Sequence, residues 1–241
     1  MAINAVSLDI LAQLARKLDR PCRMLSLGYP DMLVTEAHLA RFCGEQALAS
    51  ITFRDDSEAI LRWHRLEGQV ARVAETRSVL ATLGIESDFI DLVASRGYEK
   101  VVDLNHPAPP ELTGYDIVYD GGTLEHCFNV GQVMRNILGF ARVGGYIVHV
   151  NPLNIYNHGF FNFNPTFYHD WYGASGNALA SPVYAMHGPV LDPTVEKVEA
   201  VANFRNAPER TVLVVTAVKR SDAQPAWPLQ AKYAASPDLK R

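Results

Sequence analysis

The feature that most constrains the fold is a strand, helix, strand succession between residues 115 and 150. Tyr115-Asp116-Ile117-Val118-Tyr119-Asp120 and Tyr146-Ile147-Val148-His149-Val150 are short runs with little alternation, as strands covered on both faces read. Between them Val133, Met134, Ile137, Leu138 and Ala141 recur at helical spacing. Asn129 offers that helix a cap and Gly144-Gly145 a stop. Met24-Leu25-Ser26-Leu27, Phe89 to Val93 and Lys100 to Leu104 are further strand-like runs. The reading is α/β, a doubly wound Rossmann-like, mostly parallel sheet, whose ligands sit beyond the carboxyl ends of the strands.

The remaining segments fit around that sheet. Leu8, Leu11, Ala15 and Leu18 predict an amphipathic helix that stops before Pro21. Residues 32–84 read as a helical insertion. From Ser57 onward, Trp63, Leu66, Val70, Val73 and Leu80 form an apolar stripe on one long helix, N-capped from its Asp55-Asp56-Ser57 lead-in and stopped by Gly84. The stripe is read as packing on the core, with a lid or a homodimer seam as the sharper alternatives. Glu196 to Phe204 and Thr211 to Lys219 read as a C-terminal antiparallel hairpin. Residues 1–220 then form one domain, and 221–241, with Pro225, Pro228 and Pro237, an irregular tail.

Composition excludes several partners. The 241 residues carry 22 basic and 26 acidic side chains, a net charge of −4, which argues against nucleic acid or an anionic membrane surface. No stretch approaches the roughly 18 apolar residues of a membrane span, and Asp9, Arg16, Lys17, Asp19 and Arg20 interrupt any signal-peptide core. A cytoplasmic protein of bacterial type is expected. Cys22, Cys43 and Cys127 form no C-x-x-C pair and read as small buried side chains.

The segment YDIVYDGGTLEH at 115–126, followed by ARVGGYIVHVNP at 141–152, resembles the class I S-adenosylmethionine-dependent methyltransferases. The resemblance covers roughly residues 22–30 and 85–220. It implies S-adenosyl-L-methionine as cofactor and a last strand inserted antiparallel. It also implies cofactor contacts from Gly28 in LSLGYPD, from Asp120 and Gly121, and from Asp103 and Leu104 beside the adenine. Asp91 is similar to the acid that holds the ribose hydroxyls, with Asp55 or Asp56 as the alternative. The family's glycine-rich loop is reduced here to Gly28, because Tyr29 and Pro30 follow it and Pro30 lacks a backbone donor. No G-x-G-x-x-G follows the first strand, which disfavours a nicotinamide enzyme.

NPLNIYNHGFFNFNPTFYHDWY at 151–172 interleaves amides with aromatics. Asn151, Asn154, Tyr156, Asn157 and Asn162 are candidate contacts to a polar, ring-shaped acceptor such as a sugar, and an Asn-rich turn cluster is the alternative. His126 and His158 are candidate proton acceptors, since imidazole titrates near neutrality. His126, His149, His158, His169 and Asp170 show no metal-ligand spacing, so no metal is expected. The function expected is methyl transfer to a hydroxyl or amine of a small polar acceptor. The alternative is a non-catalytic binding protein on the same fold, consistent with the altered Gly28-Tyr29-Pro30 loop.

Overall fold

The computed structural model describes residues 1–200, 202, 204 and 206–234. In chain order the elements are β1 (Ala2–Ile3), α1 (Ala5–Leu18), β2 (Cys22–Leu27), β3 (Asp31–Met32), α2 (Glu36–Cys43), α3 (Ser57–His64), α4 (Thr76–Thr82), β4 (Ile85–Asp91), β5 (Glu99–Val101) and β6 (Tyr115–Asp120). There follow α5 (Val130–Phe140), β7 (Ala141–Pro152), α6 (Pro165–Ala174), β8 (Ala178–Leu179), β9 (Val183–His187), β10 (Thr194–Val198), β11 (Val212–Val218) and α7 (Ala231–Ala234). Single 3-10 turns lie at Glu45–Ser50 and Leu124–His126.

The main sheet has the order β10-β9-β11-β7-β6-β2-β4-β5, with β8 beside β11. Strands β7, β6, β2, β4 and β5 are mutually parallel, and β11 enters antiparallel between β7 and β9. This is the mostly parallel α/β sheet expected from the strand runs, with the antiparallel last strand that the resemblance implies. Helices cover both faces. Leu8 and Leu11 of α1 pack with Met24, Ile117, Tyr119 and Val148 on one side. Val133, Met134 and Ile137 of α5 and Tyr168 and Tyr172 of α6 pack with Leu25, Val118 and Ile147 on the other. Covering on both sides is why β2 and β6 carry no polar alternation.

Asn4 caps α1 by accepting the Ser7 N–H at 3.0 Å. Asn129 caps α5 through Gln132 N–H as expected. At the amino end of β6, Asp116 is held by Arg20, by Arg142 at 2.5 Å and by the backbone N–H of Arg23 at 2.9 Å. Burial alone would raise its pKa, but these donors outweigh it and hold the carboxyl below the usual range.

Four expectations are corrected. The long helix from Ser57 is two short ones, because Arg65 takes a left-handed cap at φ 58 and Gly68 turns the chain at φ 74. Its stripe splits accordingly: Leu66, Val73 and Leu80 enter the core, while Trp63 is 82% exposed. Asp56 does not cap α3 with its side chain but pairs with Arg54 and Arg96. Gly144-Gly145 does not stop α5, which ends at Phe140, but lies inside β7 where the register against β6 shifts.

The C-terminal hairpin is also rearranged, since β10 pairs with β9 and β11 takes the interior position. The side chains explain this: Leu213, Val214, Val215 and Ala217 are buried, whereas β10 carries Glu196 and Lys197 and forms an exposed edge. Residues 201, 203 and 205 of the expected hairpin lie outside the described residues. In the tail, residues 231–234 form the short helix α7. No helix among the described residues is long and apolar enough to cross a membrane.

Candidate functional site

The carboxyl edge of the parallel strands carries two polar constructions. The first is the turn after β2. Gly28 stands at φ 88, a conformation that favours glycine, and its N–H donates to Ile90 O on β4. Tyr29 turns inward, against Phe89 at 4.4 Å between centroids and stacked on Tyr98 at 5.4 Å. Thr76 Oγ1 donates to Pro30 O at 2.7 Å. Tyr29 thus anchors the turn to β4 and the segment after it, and Pro30 anchors it to the insertion.

β1 pairs with β3 and carries Met1 across this edge. The Met1 thioether fills the side of Gly28 where a side chain would stand: a Cβ there would lie 2.7 Å from Sδ and 3.2 Å from Asp91 Oδ2. Thr123 Oγ1 is 3.0 Å from the same Sδ and donates to Leu27 O at 2.6 Å. Gly28, Asp91 and Thr123, after β2, β4 and β6, therefore form a cradle that already holds a methionyl side chain.

The second construction is a buried network on the α5/α6 face. Asp120 and His149 are register partners at the ends of β6 and β7. Asp120 Oδ2 accepts from His149 Nδ1 at 2.8 Å and from Asn151 Nδ2 at 3.0 Å. Its Oδ1 accepts the N–H groups of Thr123 and Leu124 at 2.9 and 3.2 Å. His149 Nε2 meets the Tyr172 hydroxyl at 2.7 Å, and Tyr168 donates to Asn151 Oδ1 at 2.6 Å. The second Asn151 N–H goes to Glu125 Oε2 at 3.0 Å. Burial would raise the Asp120 pKa, yet the His149, backbone and Asn151 donors lower it and keep the carboxylate ionised. The same negative charge, added to burial, pushes the Tyr168 and Tyr172 phenols well up.

Glu125 is where this network meets solvent. Burial first, and Asp120 second, push its pKa up to about 7. Its Oε1 lies 4.0 Å from His126 Nε2 and 3.8 Å from His158 Nε2. The two imidazoles come from different segments and meet because the 151–164 loop presses onto the 124–126 turn. Phe160 N–H donates to Glu125 O at 2.8 Å, and a Cβ on Gly159 would stand only 2.7 Å from that oxygen. Burial lowers both histidine pKa values. Glu125, His126 and His158 line a cleft of about 550 Å³ with Gly121, Val150, Met186 and Arg210.

Several expected site residues are placed otherwise. Asp120 is fully buried and spent on internal donors, so it positions its neighbours and does not face a ligand. Asn151 is likewise buried, with both its N–H groups and its oxygen engaged. Asn154 bonds the backbone of Pro208 and Thr211, and Asn162 accepts the Ile155 N–H, so both build the loop. Tyr156 is 85% exposed and outside the cleft lining, and Asn157 is an exposed left-handed turn residue at φ 54.

Leu104 is buried in the core beneath α5. Asp103 is half-exposed and accepts from Asn105 N–H at 2.9 Å. Gly28 and Asp91 come together, Gly121 lines the cleft, and His126 and His158 face one another. Asp56 is engaged with Arg54 and Arg96. Glu125, Thr123, Tyr168 and Tyr172 escape the sequence reading. The one signal for the network is the pair of polar residues His149 and Asn151 at alternate positions of an apolar strand.

No protein-family model and no curated protein sequence matches this chain. Among solved structures, it is similar to the 1,6-didemethyltoxoflavin-N1-methyltransferase of Burkholderia thailandensis, crystallised with 1,6-didemethyltoxoflavin and S-adenosylhomocysteine. The identity is 14% and the TM-score 0.38, over 89% of this chain and 78% of that one. It is also similar to TehB from Haemophilus influenzae, at 13% identity and TM-score 0.40, over 87% of this chain and 61% of that one. PigF with S-adenosylhomocysteine gives 13% and 0.34, over 89% and 55%.

Proposed function

We propose that this chain is an S-adenosylmethionine-dependent methyltransferase acting on a hydroxyl or amine of a small polar acceptor. The observation that carries the reading is the methionyl side chain seated on Gly28, between Asp91 and Thr123. A cradle that accepts the Met1 thioether has the size and polarity for the methionyl end of the cofactor once Met1 withdraws. When bound, the cofactor supplies an electrophilic methyl group on a sulfonium.

In this reading Gly28 permits close approach, and Asp91 receives the ribose hydroxyls. Asp103, exposed just beyond β5, lies toward the adenine. The acceptor occupies the cleft lined by Gly121, Glu125, His126 and His158. Its proton passes to the Glu125, His126 and His158 cluster, where burial lowers the histidine pKa values and favours unprotonated imidazoles near neutrality, while Glu125, raised to about 7, divides there between its two forms. Holding the acceptor in line with the methyl group supplies much of the rate. Asn151, Asn154 and Asn162 are engaged by other protein groups and leave no amide set for a sugar acceptor.

The same occupancy of the cradle supports a second reading, a non-catalytic binding protein in which Met1 keeps the cofactor out. Thermal unfolding with S-adenosylhomocysteine separates them. Ligand at a hundredfold its Kd stabilises a binder by about 2.7 kcal/mol. A melting temperature that stays fixed at millimolar ligand contradicts the enzyme reading.

A further inference from the structure

Glu125, His126 and His158 form a cluster with properties beyond proton transfer. One ligating atom from each lies within 4.8 Å of the other two. The imidazole rings stand 5.0 Å apart between centroids and 65° from coplanar. A tetrahedral ion with bonds of about 2.0–2.2 Å separates its ligand atoms by about 3.3 Å. The carboxylate oxygen is already 3.8–4.0 Å from each imidazole nitrogen, and bringing all three atoms in from within 4.8 Å takes side-chain rotations open to two half-exposed imidazoles.

We propose that Glu125, His126 and His158 bind one divalent transition-metal ion of the zinc class. Two imidazoles and one carboxylate are the borderline nitrogen and oxygen donors such ions take. The carboxylate is already oriented: Asn151 holds Oε2 at 3.0 Å, and Asn151 is itself fixed by Tyr168 and Asp120. Oε1 is left facing the two imidazole Nε2 atoms. An outer shell of this kind is what fixes metal ligands in place.

The charge balance is consistent with a cation there. Glu125 is forced up to about 7 because it is buried beside another carboxylate, and an ion against Oε1 relieves that cost. Arg210 is an opposing cation on this side of the cleft. With three protein ligands, the position toward the cleft stays open for an acceptor oxygen or water. That last consequence rests on the acceptor being held in this cleft, and with the ion bound the three ligating atoms no longer serve as the proton acceptors of that reading; the binding of the ion rests on neither.

The test is calorimetric titration of chelator-treated protein with Zn²⁺, with no cofactor and no acceptor present. One ion per chain is expected, with affinity reduced at least about tenfold in each of His126→Ala, His158→Ala and Glu125→Gln. Circular dichroism confirms folding of the two histidine variants, whose side chains are half-exposed. Absence of saturable binding overturns the proposal, and so does binding that persists unchanged in the double histidine variant. Neither result touches S-adenosylhomocysteine binding, so the two readings fail separately.

Discussion

Asp120 and His149 face each other across the β6 and β7 pair, joined at 2.8 Å with neither side chain exposed. The imidazole links that carboxylate to Tyr172, so one ring satisfies two buried groups. Replacing His149 with Ala leaves Asp120 short of a donor and the Tyr172 hydroxyl unpaired. The expected loss is about 3–5 kcal/mol in chemical denaturation. A loss below about 1 kcal/mol contradicts the role given to the pair.

Glu125 makes stability depend on pH with a definite sign. Its folded pKa, about 7, exceeds the ordinary 4.5, so the folded state binds the proton more tightly than the unfolded one. Stability is therefore lost as pH rises from about 4.5 to 7. Glu125→Gln mimics the protonated form and escapes that loss. Metal-free variant and parent should match near pH 4 and diverge to about 3 kcal/mol in the variant's favour at pH 8. Equal stabilities at both pH values would sink this account of Glu125.

Gly28 tests the cradle. An added Cβ meets the Met1 side chain and takes a positive φ that L residues disfavour. Gly28→Ala should cost about 1–2 kcal/mol in stability and weaken S-adenosylhomocysteine at least tenfold. Unchanged affinity would move the cofactor away from this turn.

His126 and His158 differ from the buried network in reaching the cleft. His126→Ala should lower turnover while cofactor affinity changes little, measured as kcat against the Kd for S-adenosylhomocysteine. An unchanged kcat removes His126 from the reaction.

The parts legible in the sequence share one cause, burial on both faces. β2, β6, α1 and α5 announce themselves because apolar side chains fill most of their inward positions. The insertion misleads because Leu66, Val73 and Leu80 are buried by separate turns that happen to keep a helical spacing. The Asn-rich loop misleads in another way: amides that suit a sugar also suit loop backbone, and Asn154 and Asn162 serve the backbone. His126 and His158 are legible by type, but Glu125 between them depends on a loop-to-turn contact with no sequence pattern. Met1 at Gly28 is set by the β1 and β3 pairing, a two-residue contact too short to leave a signal.

In the proposed function the carboxyl edge formed by Gly28 and Asp91 receives the cofactor. Calorimetric titration with S-adenosylhomocysteine, on the parent and on Asp91→Ala, tests it most directly. Saturable binding in the parent, weakened by about 10- to 100-fold in the variant through the loss of charged hydrogen bonds, is the result predicted. No binding at millimolar ligand, or binding indifferent to Asp91, contradicts it.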